Sequence, residues 1–128
     1  MRPLFSLVIS CLFLTGFSSC TKVEGPGGAA TITGKIIKSK TIAGIEYFSD
    51  AADEDVYLIY GGVNSFYDDD IKTSYDGSFE FNYLEEGNYQ FFVYSKCDNC
   101  LSGDTVLIEN LVIQDKKEIV DLGAIIIE

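Results

Sequence analysis

Residues 73–94 read Thr73-Ser74-Tyr75-Asp76-Gly77-Ser78-Phe79-Glu80-Phe81-Asn82-Tyr83-Leu84-Glu85-Glu86-Gly87-Asn88-Tyr89-Gln90-Phe91-Phe92-Val93-Tyr94, and their period decides the fold. Phe79, Phe81 and Tyr83 alternate with Ser78, Glu80 and Asn82. Successive side chains of a strand point to opposite faces, so this is a half-buried strand. Tyr89, Phe91 and Val93 form a second, with Phe92 and Tyr94 on its other face. Asp76-Gly77 predicts a tight hairpin turn in which both central residues take positive φ.

The same period extends outward. Ile32, Gly34 and Ile36 alternate with Thr31, Thr33 and Lys35. Residues 56–60, Val-Tyr-Leu-Ile-Tyr, are apolar throughout and predict a central strand covered on both sides. Runs at 106–113, 119–122 and 124–127 supply the last strands, joined through Asp115-Lys116-Lys117, while Gly61-Gly62 breaks a strand. No window carries ten residues of helical period. Short strands separated by turn residues predict an all-β antiparallel sandwich of about seven strands.

The order of these segments resembles the carboxypeptidase-regulatory-like domains. The shared residues are Gly34, Val56, Leu58, Thr73, Asp76, Gly77, Phe79, Phe81, Leu84, Gly87 and Tyr89. The likeness spans about residues 30–95; Ser74 stands where that family often has Asp or Asn, and residues 38–56 form a longer, acidic segment. The resemblance implies a prealbumin-like (transthyretin-like) sandwich, used as a non-catalytic accessory module and common in surface proteins of Bacteroidetes-type bacteria.

At the other end of the chain, Met1-Arg2-Pro3 precedes an almost wholly apolar run, residues 4–17. This is the charged and apolar pattern of a secretory signal, too short for a membrane-spanning helix. Phe17-Ser18-Ser19-Cys20 resembles a lipobox. That resemblance implies a signal peptide over residues 1–19 and a diacylglycerol on Cys20, with Thr21 fitting outer-membrane sorting. Residues 20–29, rich in glycine and alanine, are expected to be a flexible tether to the domain at 30–128.

Composition narrows the chemistry. The 128 residues carry 9 Lys+Arg against 20 Asp+Glu, a net −11, and no histidine. A polyanion repels nucleic acid, which is bound through basic side chains. Without histidine the commonest general base and zinc ligand are missing. A cofactor is not expected, calcium being the exception kept open below.

Three groups remain as site candidates. Cys97-Asp98-Asn99-Cys100 holds the two thiols left after Cys11 departs with the signal and Cys20 is acylated, and in an exported protein the pair reads as a disulfide. Asp68, Asp69 and Asp70 are clustered carboxylates of the kind calcium takes, although their spacing is not that of an EF-hand loop. Tyr67 and Tyr75 flank that acidic loop and could stack on sugars or grip a protein. The expectation is a non-enzymatic, lipid-anchored structural or binding module of the cell envelope. Two alternatives stay open: a calcium-dependent adhesion or glycan-binding domain, and a small redox protein using Cys97 and Cys100.

Overall fold

The computed structural model describes residues 23–62 and 66–128. The expected signal peptide, the expected acylation site Cys20 and the first residues of the expected tether lie outside the described residues. In chain order the strands are β1 (Pro26–Ile42), β2 (Ile45–Asp50), β3 (Asp55–Tyr60), β4 (Asp69–Lys72), β5 (Ser78–Leu84), β6 (Gly87–Lys96), β7 (Asp104–Ile113) and β8 (Ile119–Ile127). Two four-stranded sheets result, one holding β1, β2, β5 and β8, the other ordered β4-β3-β6-β7. Every pairing is antiparallel except β1 with β8. The all-β sandwich read from the period is therefore the observed fold.

The seven apolar runs of the sequence correspond to six of these strands. Residues 119–122 and 124–127 are halves of β8, divided at Gly123, whose φ is +69° and where the register against β1 shifts. The two further strands escape the pattern because neither has a buried face to display. All six residues of β2 are exposed, and β4 is four residues long, two of them acids.

β1 is the spine of its sheet. β5 pairs with its first half, from Pro26↔Leu84 to Lys35↔Ser78, and β2 with its second, from Ile37↔Asp50 to Ile42↔Ile45. The exchange of partners falls at Ile36, whose N–H donates to the Gly77 carbonyl while its carbonyl accepts from the Ala51 N–H. β8 stays paired with β1 as far as Lys38; beyond it β1 and β2 project as a two-stranded arm with Ile42, Ile45, Tyr47 and Phe48 exposed.

The core lies between the sheets. Ile32 and Ile36 of β1, Val56 and Leu58 of β3, Phe81 of β5 and Val93 of β6 are all buried. Phe79 of one sheet stacks on Phe91 of the other, ring centroids 5.1 Å apart and planes 6° from parallel. The alternation at 79–81 and 89–93 is what delivers these rings to the interior.

Two local expectations are corrected. The Asp76-Gly77 turn is not the primed two-residue type, because only Gly77 takes positive φ, at +79°. The Gly77 N–H donates to the Ser74 carbonyl, and Asp76 Oδ1 accepts from both the N–H and hydroxyl of Ser78. The turn carries the chain from β4 in one sheet to β5 in the other, so it does not close a hairpin. The tether segment is also docked from Gly25 onward: its N–H donates to Tyr89 Oη at 2.9 Å, and its carbonyl accepts from the Glu85 N–H at 2.8 Å. Gly28 approaches β5 so closely that a Cβ there would sit 2.0 Å from the Leu84 carbonyl oxygen. Small residues here serve backbone contact, a role that composition alone does not separate from flexibility.

Candidate ligand-binding face

The site follows from the strand period applied to β3, β6 and β7. Val56 and Leu58 fill the core, which sends Tyr57 and Ile59 to the opposite side of the sheet. On β6, Phe91 and Val93 face inward while Gln90, Phe92 and Tyr94 face outward. On β7 the outward residues are Val106, Ile108, Asn110 and Val112. Register aligns them into rows. Asp70 pairs with Tyr57, Tyr57 with Phe92, and Phe92 with Ile108, a continuous line across all four strands. The adjacent row runs Ile59, Gln90, Asn110, and the Gln90 side-chain amide donates to Asn110 Oδ1 at 2.9 Å.

Aromatic contacts knit the first row together. Tyr57 and Phe92 are stacked with centroids 4.7 Å apart and planes at 12°. Tyr67 leans on Tyr57 at 4.8 Å and 53°, and Tyr94 meets Tyr57 and Phe92 edge-on at 5.8 and 5.9 Å. Cross-strand aromatic pairs of this kind add about 0.5–1.5 kcal/mol beyond the area they bury. Yet Tyr67 and Tyr94 are each 50% exposed, and Ile108 is 54% exposed. The apolar run 56–60 predicts cover on both sides. The cover is partial: on the outer side Ile59 is buried, at 5% exposure, while Tyr57 and Phe92 are half-buried among Tyr67 and Tyr94.

Acids define one rim of this face. Asp68 Oδ2 accepts the Tyr60 N–H at 2.8 Å, and Asp69 Oδ1 accepts the Asp70 N–H at 2.9 Å. Lys72 pairs with Asp55 at 3.0 Å and more loosely with Asp53 at 3.7 Å. Among the described residues no ion pair reaches Asp68, Asp69 or Asp70. Nor, among those residues, do three acid or cysteine side chains converge as a metal site requires. Asp69 and Asp70 lie in β4, where successive side chains diverge, which separates the calcium candidates from one another. Burial pushes the Tyr60 phenol up to about 12, with Asp69 and Asp68 adding to the rise. Burial, then Asp55, raises Tyr57 as well. Both phenols are neutral donors at ordinary pH.

Of the sequence candidates, the structure places Tyr67 in the aromatic row and leaves Tyr75 out. Tyr75 is 90% exposed in the turn beyond the far end of β4. The residues that sequence reading did not assemble are Tyr57, Phe92, Tyr94 and Ile108. The signal was present in Phe92 and Tyr94, large aromatics on the side of β6 opposite the core. Cys97 and Cys100 are joined as a disulfide in the β6–β7 loop, Cα atoms 5.3 Å apart. The loop is closed by Cys97 N–H to Gly103 O at 2.9 Å and Gly103 N–H to Cys100 O at 3.0 Å. No helix starts there, whereas a redox-active pair of this spacing sits at a helix start. An open cleft between this loop and the β1–β2 arm is lined by Lys38, Lys40 and Lys96 together with Asp98 and Glu128, a mixed-charge surface without converging groups.

No family model matches the chain, and no curated protein matches it. Among solved structures it is similar to a candidate carbohydrate binding protein from Pseudomonas aeruginosa, at 11% identity and a TM-score of 0.46, with 81% of this chain and 90% of that chain covered. A likeness that distant carries no ligand from one protein to the other.

Proposed function

We propose that this chain is a non-enzymatic binding module of a bacterial cell envelope, a carboxypeptidase-regulatory-like sandwich held at the outer membrane by a lipid on Cys20. Its ligand lies on the outer face of the β4-β3-β6-β7 sheet. The observation that carries the reading is the outward row Asp70, Tyr57, Phe92, Ile108, half-buried at its aromatic centre and exposed at both ends, flanked by half-exposed Tyr67 and Tyr94. Contiguous apolar surface of this sort marks interaction sites on soluble domains. For the anchor, the support is the sequence of residues 1–20, together with the bond between Cys97 and Cys100, which uses the other two thiols of the exported chain.

Two variants test it in cells. Cys20→Ser should abolish palmitate labelling and leave the leader uncleaved; continued labelling would contradict the anchor. The double variant Tyr67→Ala/Tyr94→Ala should fold and acylate normally but lose retention on delipidated envelope material. Undiminished retention would contradict the face.

A further inference from the structure

We infer that the ligand of this face is a protein surface, apolar at its centre and basic at its rim; the inference rests on the reading of the face given above. Three observations carry it. First, Tyr57 and Phe92 stack on each other, so each ring spends one of its faces on its neighbour. A sugar stacks on a free ring face, whereas protein side chains pack against edges and methyl groups alike. Second, the row continues into aliphatic surface on β7, with Val106 at 40%, Ile108 at 54% and Val112 at 50% exposure. Aromatic and aliphatic residues at the centre with charge kept to the margin is the anatomy of a protein–protein interface.

Third, charge selects the kind of protein. Asp68 and Asp70 meet no cation among the described residues, and Asp70 ends the row on β4, whereas Asp69 is in register with buried Leu58. A partner bringing Lys or Arg to that rim gains complementary pairs and faster encounter. A second copy of this chain would set acid against acid, at a net −11 on each molecule. Anionic glycans meet the same repulsion.

The test uses the full-length acylated chain in its native envelope. A photo-crosslinking phenylalanine analogue replaces Tyr94 or Ile108 on the face, and Tyr83, exposed on the other sheet, as control. The expected product forms from Tyr94 and Ile108 but not Tyr83, is destroyed by protease and survives periodate. Asp70→Lys should lower its yield about ten-fold, while Glu80→Lys, an equal charge change on β5, leaves it unchanged. A product resistant to protease but cleaved by periodate would identify a glycan and overturn the inference while keeping the face. A product of twice the chain's mass would overturn it in favour of self-association. Equal response to Asp70→Lys and Glu80→Lys would remove the basic partner. Equal crosslinking from all three positions would overturn the face itself.

Discussion

Tyr57 and Phe92 stand directly opposite each other on β3 and β6, rings 4.7 Å apart and 12° from parallel, on the side of the sheet that turns away from the core. Their neighbours Val56, Leu58, Phe91 and Val93 are buried on the inner side. One sheet thus carries two apolar faces, the outer one only partly covered within the described residues. The proposed binding of another molecule on the outer face rests on that asymmetry.

The stacked pair should be coupled energetically. A double-mutant cycle on Tyr57→Ala and Phe92→Ala, measured by urea unfolding, is expected to give a coupling of about 0.5–1.5 kcal/mol. Phe91→Ala, which empties the core and breaks the stack on Phe79, should cost about 3–5 kcal/mol. A Phe92→Ala loss as large as that of Phe91→Ala would mean the outer ring is a core residue.

The turn at Gly77 tolerates no side chain. A Cβ there would lie 2.3 Å from the Ile36 carbonyl oxygen, at a φ of +79°. Gly77→Ala should destabilise by about 2 kcal/mol or more, combining left-handed strain with a clash against the spine strand. The midpoint of chemical unfolding reads this directly.

At the arm's tip the opposite holds. Ala43 and Gly44 both take positive φ, +52° and +80°, the geometry of a primed two-residue hairpin turn. Asparagine tolerates that conformation better than alanine, so Ala43→Asn should stabilise by up to about 1 kcal/mol. Beyond Lys38 the arm's strands pair only with each other, so the gain should appear as amide-exchange protection in β2 before it shows in global unfolding.

Removing the disulfide should matter little. The ring spans a separation of three residues, so its entropic stabilisation is about 2 kcal/mol or less. A Cys97→Ser/Cys100→Ser variant is expected to keep its fold with a modestly lower Tm, and to keep full retention on envelope material. Lost retention with an intact fold would bring this loop into the binding site.

Alkali should unfold the protein through its phenols. The folded-state pKa values of Tyr57 and Tyr60 are raised, the latter to about 12. A group whose neutral form the fold favours contributes fully below its ordinary pKa near 10 and loses that contribution as pH rises through the folded value. Tm should therefore fall across about pH 10 to 12 as Tyr60 ionises. In Tyr60→Phe the fall should be shallower.

Much of the fold was written in residues whose period is sharp. Phe79 and Phe81, then Tyr89, Phe91 and Val93, each place a large ring every second position, and these residues form the core. β2 was hidden because Tyr47 and Phe48 lie on opposite faces of an arm exposed on both, so no alternation records it. β4 was hidden because Asp69 and Asp70 read as loop charge, and only pairing with Tyr57 and Leu58 makes them strand. The binding face was half legible: Phe92 and Tyr94 mark an outward aromatic side, but only the register of β3 against β6 brings Tyr57 to Phe92. The two ends of β4 separate Tyr67 from Tyr75, a distance that nearness in sequence conceals.

The face itself is tested most directly by tyrosine footprinting of the acylated protein, first in its native envelope and then after extraction and purification. Occupancy of the outer sheet predicts that Tyr67 and Tyr94 are slow to react in the envelope and fast once purified, while Tyr75 and Tyr83 react alike in both. Equal reactivity of Tyr67 and Tyr94 in the two preparations would contradict a ligand on this face.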